Sequence, residues 1–175
     1  MKTILLCIIA FFSLSSVYAQ PAVEISRDNS GIKVLKGFIS RKDLVTDTAF
    51  SWFAEGQKSF TPNPDVVKQF AAVKDSVSIL IFGGTWCGDT KHLLPNFLAT
   101  TDAAGLSPNR ITLLGVDRNK KTLFNLAETF NIINVPTFIV LKNGKEIGRV
   151  VEYGRIGMPE KELAEVIAGS ASNKQ

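Results

Sequence analysis

The chain has 175 residues, of which 45% are apolar and 21% are charged, and its formal net charge is +4. This size and balance fit one globular domain with some additional chain, and they exclude a disordered or fibrous protein. The basic residues are scattered among acidic ones without an aromatic-interleaved basic stripe, so nucleic acid is not an expected partner.

Residues 1–19 have the order of a secretory signal peptide. Lys2 precedes an apolar run from Ile4 to Leu14, and a Ser-rich stretch then ends in Val17-Tyr18-Ala19. The apolar run has about eleven residues, whereas a membrane-spanning helix needs roughly twenty. We therefore expect cleavage after Ala19, a periplasmic or secreted location, and no membrane anchor after cleavage.

Cleavage would also remove Cys7 and leave Cys87 as the only thiol of the mature protein. An internal disulfide would then be impossible. Exported proteins usually carry structural cysteines in pairs, so an unpaired thiol indicates either an intermolecular bridge or a reactive role. With one cysteine and one histidine the sequence predicts no metal site, and we expect no cofactor.

The region from residue 20 to 62 is polar and rich in turns, and we interpret it as an N-terminal extension packed on a domain that covers residues 63–172. An alternating segment at 32–39 predicts a strand within it. A turn at 61–64 leads into the domain. Between these features lies an aromatic cluster, made of Phe50, Trp52, Phe53 and Phe60.

From residue 65 onward the pattern predicts alternating helices and strands. Asn143-Gly144 predicts a hairpin turn before the last strand. Buried strands linked by helices imply a parallel central pair, and the hairpin adds antiparallel edges, so we predict an α/β fold with a mixed central sheet flanked by helices. The predicted helices cover 66–73, 88–104, 123–130 and 159–167, and the predicted strands cover 77–82, 111–116, 138–141 and 146–151.

The retained thiol lies at a junction between a strand and a helix, in the segment Gly84-Thr85-Trp86-Cys87-Gly88-Asp89-Thr90. The first N–H groups of a helix lack intrahelical partners and carry positive partial charge, so they stabilise a thiolate, which is a nucleophile. Asp89 opposes this effect by like-charge repulsion. His92, the only histidine, lies five positions after Cys87, and we interpret it as a surface residue and not as a base.

Several separated features of residues 64–169 together resemble the thioredoxin superfamily. The strand at 78–82 leads into Trp86-Cys87, which is similar to the tryptophan–cysteine pair that opens this family's active-site helix. Pro95 falls where that helix has its kink, and Val135-Pro136-Thr137 is similar to the family's cis-proline loop. The resemblance implies a thioredoxin-like fold and a cis peptide bond before Pro136, opposite Cys87. It also implies that Trp86 and Cys87 are catalytic and that Val135, Pro136 and Thr137 bind substrate.

The sequence departs from this family at the second cysteine. Cys87-Gly88-Asp89-Thr90 stands where a typical member has Cys-x-x-Cys, so the protein cannot complete a dithiol cycle alone. The buried acid that typical members carry six residues before the nucleophile is Ile81 here, and we assign the accompanying lysine to the position of Leu113. Thr90 is either a catalytic group that donates a hydrogen bond to the thiolate or an isosteric filler.

Two functions remain open from the sequence. The first is a thiol–disulfide oxidoreductase that acts through one nucleophilic cysteine and a mixed disulfide, as a reductase or an isomerase. Its partner would be an exported protein with a disulfide or thiol, or a small-molecule thiol. The second is a redox-inactive module that binds polypeptide in the same groove. A thiol peroxidase fits less well, because Thr85 lies two residues before Cys87 and that family places its threonine three residues before.

Overall fold

The computed structural model describes residues 23–172, and the predicted signal peptide lies outside this range. One six-stranded sheet has the strand order β1-β2-β4-β3-β5-β6. Its strands are β1 (Val23–Arg27), β2 (Lys33–Ile39), β3 (Val77–Gly83), β4 (Ile111–Gly115), β5 (Thr137–Lys142) and β6 (Lys145–Val151). The α-helices are α1 (Arg41–Val45), α2 (Ser51–Ser59), α3 (Pro64–Ala71), α4 (Gly88–Ala103), α5 (Leu126–Thr129) and α6 (Pro159–Ser172).

The sheet is mixed, as the sequence predicts. Strands β3 and β4 form a parallel pair with Ile81 opposite Leu113, and β5 pairs antiparallel with β3 on its other side. Strand β6 returns beside β5 through a turn in which Asn143 and Gly144 have φ of 51° and 74°. These positive values are what a two-residue hairpin turn needs, which confirms the predicted hairpin.

Two apolar layers hold the sheet between helices. The larger layer lies under α1 to α4 and α6 and is built on buried phenylalanines, of which Phe97 and Phe138 have ring centroids 4.5 Å apart. Each such ring contributes about 1.5–3 kcal/mol by leaving water. The smaller layer covers the opposite face of the sheet beside α5, where Trp86 and Cys87 pack against its buried residues.

The N-terminal extension is built into the sheet. Strand β2, which the sequence predicts at 32–39, pairs antiparallel with β4, and β1 pairs with β2 at the edge. Helix α2 packs on α4, where a Cβ at Gly56 would lie 2.8 Å from the Pro95 side chain. The extension therefore contributes both to the sheet and to the helical layer that covers it.

Two predicted helices differ from the structure. The helix predicted over 123–130 is broken into a 3-10 turn and the short α5, because Phe124 and Asn125 have left-handed φ of 57° and 54°. Helix α6 continues beyond Gly169, at which the sequence predicts its end. Within the described range no helix has both the length and the apolar composition that a membrane span requires.

Candidate active site

The turn between β3 and α4 presents Cys87 at the N-cap of α4. The Cys87 amide donates to the Gly84 carbonyl at 2.9 Å, and the Cys87 carbonyl accepts the first helical hydrogen bond, from Lys91. A Cβ at Gly84 would lie 2.7 Å from the Trp86 ring, so glycine is needed there for the indole to fold back against the turn. The predicted position of the thiol at the start of a helix is confirmed.

The half-buried thiol of Cys87 faces the loop that contains Pro136. Its S–H donates to the Val135 carbonyl, with 3.3 Å between sulfur and oxygen. The peptide bond between Val135 and Pro136 is cis, as the resemblance implies. The structure thus brings together the two segments that the sequence singles out.

Both ends of this loop are anchored. The Thr137 hydroxyl donates to the Asn134 carbonyl at 2.7 Å, and the Pro136 carbonyl accepts a hydrogen bond from the Glu152 amide. By contrast, the Val135 amide N–H has no hydrogen-bond partner anywhere in residues 23–172. The loop therefore keeps one backbone donor unpaired beside Cys87, in a residue that is 3% exposed.

Trp86 is held from two directions. Its Nε1 donates to the Val116 carbonyl at 2.9 Å, and the guanidinium carbon of Arg118 lies 4.9 Å from the ring centroid. Arg118 is itself paired with Asp28 of the extension. The carboxyl ends of the parallel strands β3 and β4 meet at this edge of the sheet, a signal that could have placed Arg118 beside Trp86.

Thr90 has a different partner from the one that a catalytic role requires. Its side chain is 1% exposed, and its hydroxyl oxygen accepts the Gly84 N–H at 3.2 Å. In the described part of the chain no hydrogen bond joins Thr90 to Cys87. As the third residue of the helix, Thr90 directs its side chain back to the turn that precedes the helix, and so it anchors that turn.

The interior behind Thr90 is apolar. Ile81 is 0% exposed and Leu113 is 7% exposed, and the two are paired in register on β3 and β4. The space beside them is lined by Ile39, Leu44, Trp52 and Leu94. Of the described side-chain atoms, the buried Trp52 Nε1 has no hydrogen-bond partner. Among the residues that the structure describes, none with an ionisable side chain lines this space.

Tyr153, on the loop after β6, belongs to the surroundings of Cys87 although the sequence gives no signal for it. The pKa of the Tyr153 phenol is raised by partial desolvation, then by the Asp89 carboxylate and by Cys87. The exposed ring of His92 lies 6.2 Å from the Tyr153 ring, which confirms His92 as a surface residue. Among residues 23–172 no three His, Cys, Asp or Glu side chains are grouped so that they could hold a metal ion.

Comparison with known proteins places this geometry in context. A family model described as Thioredoxin matches residues 63–168. A thioredoxin of Staphylococcus saprophyticus is 32% identical over 97 residues, which cover 54% of this chain and 83% of the relative. A TPR repeat-containing thioredoxin of Arabidopsis thaliana is 36% identical over 110 residues, which cover 61% of this chain but only 26% of that longer protein.

A solved structure supports the fold. A protein of unknown function from Pseudomonas aeruginosa is 18% identical, with a TM-score of 0.51, and the match covers 69% of this chain and 84% of that one. At that level of identity the likeness concerns the fold alone. The family match begins at residue 63 and therefore leaves out the β1–β2 hairpin and the helices that follow it.

Proposed function

Since the chain belongs to the thioredoxin family, we propose that it is an exported thiol–disulfide oxidoreductase that acts through one nucleophilic cysteine, Cys87. The observation that carries the proposal is the position of the Cys87 sulfur. It is half-buried at the N-cap of α4 and lies 3.3 Å from the carbonyl of Val135, whose own N–H has no hydrogen-bond partner within residues 23–172.

The start of α4 leaves backbone donors beside the Cys87 sulfur. No side chain caps the first N–H groups of α4, so these groups can interact with the negative sulfur. Loss of the S–H proton also ends the hydrogen bond to Val135, which makes that carbonyl available. The Val135 carbonyl and N–H can then pair with an extended substrate segment, as in strand addition.

The proposed exchange reaction uses the Cys87 sulfur alone. The Cys87 thiolate attacks one sulfur of a partner disulfide, a Cys87–sulfur bond forms, the partner S–S bond breaks, and the second partner sulfur leaves as a thiolate that takes a proton from water. A thiol from outside the chain must release Cys87, because Thr90 has no sulfur. If that thiol is a different cysteine of the same partner, it attacks the partner sulfur of the mixed disulfide, Cys87 leaves as a thiolate, and the result is isomerisation. If it is a small thiol, two molecules are needed. The first attacks the Cys87 sulfur and frees the partner as a dithiol, and the second attacks the resulting mixed disulfide, which releases Cys87 and forms a small-molecule disulfide.

Export is part of the same proposal. It is supported by the order of charge, apolar run and small residues in 1–19, and by the loss of Cys7 that cleavage would cause. An exported partner protein meets an oxidising environment, in which disulfides form and persist. N-terminal sequencing of the protein recovered from the producing cells tests this part, and a mature chain that still starts at Met1 contradicts it.

The test of the chemistry uses oxidised glutathione and measures the intact mass of the protein. We expect the chain to gain the mass of one glutathionyl group and to lose it when free thiol is added. The reference chain carries Cys7→Ser, so that Cys87 is its only thiol, and the control adds Cys87→Ser. An adduct yield no higher than that of the control contradicts the proposal.

A second function, a redox-inactive module that binds polypeptide, is favoured by one observation. Thr90 replaces the resolving cysteine and is used to hold Gly84. If this function is correct, Cys87→Ala leaves the capture of the physiological partner unchanged. If thiol–disulfide exchange is correct, Cys87→Ala abolishes the covalent complex with that partner.

A further inference from the structure

The two residues that precede Cys87 are both attached to a part of the chain that the thioredoxin family model does not include. That part is the hairpin formed by β1, β2 and the turn between them. Thr85 contacts β2 directly, and Trp86 is connected to the hairpin turn through Arg118. These two connections have different chemistry and are independent of each other.

Thr85 takes the place of a neighbouring strand beside β2. Strand β2 pairs with β4 only from Gly37 to Ile39. The part of β2 before Gly37 extends past Gly115, the last residue of β4. There the Thr85 hydroxyl accepts the Leu35 N–H at 3.2 Å and donates to the Lys33 carbonyl at 3.1 Å. The Thr85 side chain is 3% exposed, so water cannot readily replace it as a partner.

A glycine in the family-matched part of the chain permits the close approach of β2. At Gly115, the last residue of β4, a Cβ would lie 2.2 Å from the Leu35 carbonyl oxygen. Any larger residue would push β2 away and break the two hydrogen bonds of Thr85. Gly115 and Thr85 are therefore both fitted to the hairpin.

The second connection runs from the hairpin turn to the indole ring. One oxygen of the Asp28 carboxylate accepts the N–H groups of Ser30 and Ile32 and so shapes the turn. The other oxygen accepts Nε of Arg118 at 2.8 Å, and the Arg118 guanidinium lies against Trp86. Although partial desolvation alone would raise it, the pKa of Asp28 is lowered by the Arg118 and backbone hydrogen bonds, so the carboxylate stays charged.

We propose that the β1–β2 hairpin is part of the active site and that Asp28, Thr85 and Arg118 are positioning residues that fix the turn presenting the reactive thiol. The inference deepens the proposed function and rests on it. The hairpin fixes the backbone of the turn at Thr85 and, through Arg118, the orientation of the Trp86 ring. The Cys87 sulfur itself is contacted by the Val135 carbonyl. Loss of either connection gives the turn more freedom and lowers the fraction of molecules with the sulfur correctly placed.

The chain offers a matched control for the charged connection. Arg41 of the extension and Asp102 of α4 also form an Arg–Asp pair, with Nη2 of Arg41 2.7 Å from a carboxylate oxygen. Asp102 lies near the far end of α4, away from Cys87. Arg41→Gln therefore removes the same kind of bond between the extension and the rest of the protein without touching the turn.

The experiment compares Thr85→Val, Thr85→Ser, Arg118→Gln, Asp28→Asn and Arg41→Gln in the full chain with Cys7→Ser. We expect Thr85→Val, Arg118→Gln and Asp28→Asn to slow mixed-disulfide formation with oxidised glutathione by about fivefold. Thr85→Ser keeps the hydroxyl and Arg41→Gln keeps the turn, so both are expected to stay within about twofold of the reference. Combining Asp28→Asn with Arg118→Gln should add little, because both break one connection. Thr85→Val and Arg118→Gln rates equal to the reference, or an equal loss in Arg41→Gln, overturn the proposal.

Two further measurements separate this proposal from the proposed function. Alkylation of Cys87 by iodoacetamide needs no disulfide substrate, and we expect its rate to change in Thr85→Val and Arg118→Gln but not in Arg41→Gln. Tryptophan emission should change in Arg118→Gln, because Arg118 lies over the Trp86 ring, and should not change in Arg41→Gln. Trp52, the other tryptophan, is present in both variants and contributes equally. If the reference shows no exchange with glutathione but these differences persist, the proposed function fails and the role of the hairpin stands. If the differences are absent, the role of the hairpin fails whether or not exchange occurs.

Discussion

The side of Cys87 that faces solvent and the side that faces the interior are built from different chemistry. On the outer side lie Trp86 and the carboxylate of Asp89 with the phenol of Tyr153, and the buried Val135–Pro136 loop borders this side at the sulfur. On the inner side lies Thr90, and behind Thr90 lies the larger apolar layer with the buried Ile81 and Leu113, while Cys87 itself packs on the smaller layer. The outer side offers groups that can meet a partner, and the inner side offers packing.

This difference shows which part of a thiol–disulfide site can change independently. Attack on an external disulfide needs only an accessible thiolate and a surface that holds the partner. In a dithiol site, a buried acid serves proton transfer to the second sulfur. Here Thr90 stands in place of that second sulfur, so no buried acid is needed and the interior can be apolar. Changes on the inner side should therefore alter stability, and changes on the outer side should alter reactivity.

The largest effect is expected from Ile81→Asp. The new carboxylate would be buried opposite Leu113 with no cationic partner in the apolar layer, so the free energy of unfolding at pH 7 should fall by about 3 to 5 kcal/mol. Urea unfolding measures this loss. Ile81→Val, which removes one methyl group, is the control and should cost about 0.5–1.5 kcal/mol. An unchanged urea midpoint in Ile81→Asp would mean that this interior accepts charge.

Thr90→Val is expected to have an intermediate effect, because Thr90 lies on the inner side but holds the turn that presents Cys87. The valine has the same shape but leaves the buried Gly84 N–H without its acceptor, which should lower the free energy of unfolding by about 1–3 kcal/mol. Because Thr90 also anchors the turn that presents Cys87, the rate of Cys87 alkylation, corrected for the folded fraction, should change in the same direction as in Thr85→Val. A corrected rate equal to that of the reference would show that the hydrogen bond to Gly84 does not position the sulfur. Thr90→Ser, which retains the hydroxyl, is the matched control.

The smallest effect is expected from Asp89→Asn on the outer side. Removing the carboxylate charge should lower the pKa of Tyr153, and the change should be partial because desolvation, its largest cause, remains. Ultraviolet titration of the phenol measures it, with Tyr153→Phe subtracted to remove the contribution of Tyr18. The urea midpoint should not move. An unchanged Tyr153 titration would show that Asp89 and Tyr153 are not coupled.

Much of the fold could be predicted because its signals are local. Apolar runs of strand length, the Asn143-Gly144 turn and the Trp86-Cys87 junction each occupy a few consecutive residues. The broken helix at Phe124 and Asn125 could not be predicted, because periodicity does not report a left-handed backbone. The same limit applies to the end of α6, where Gly169 continues the helix.

The site was only partly predictable, since its remaining contacts join distant parts of the chain. Asp28 and Arg118 are 90 residues apart in sequence, and their pairing depends on β2 docking beside β4. The partner of Thr90 depends on the direction of its side chain, which the residue type does not fix. Tyr153 reaches Asp89 only because β6 returns along β5, so the sequence gives no sign of it.

The pairing of β2 with β4 has a practical consequence for work on this protein. A fragment that starts at residue 63, where the family resemblance begins, would lack β2 and leave the backbone groups of β4 from Leu113 to Gly115 without their partners. Such an open strand edge is a template for pairing with other chains. The shortened protein should therefore self-associate, and a search for its activity in that form would measure aggregation in place of chemistry.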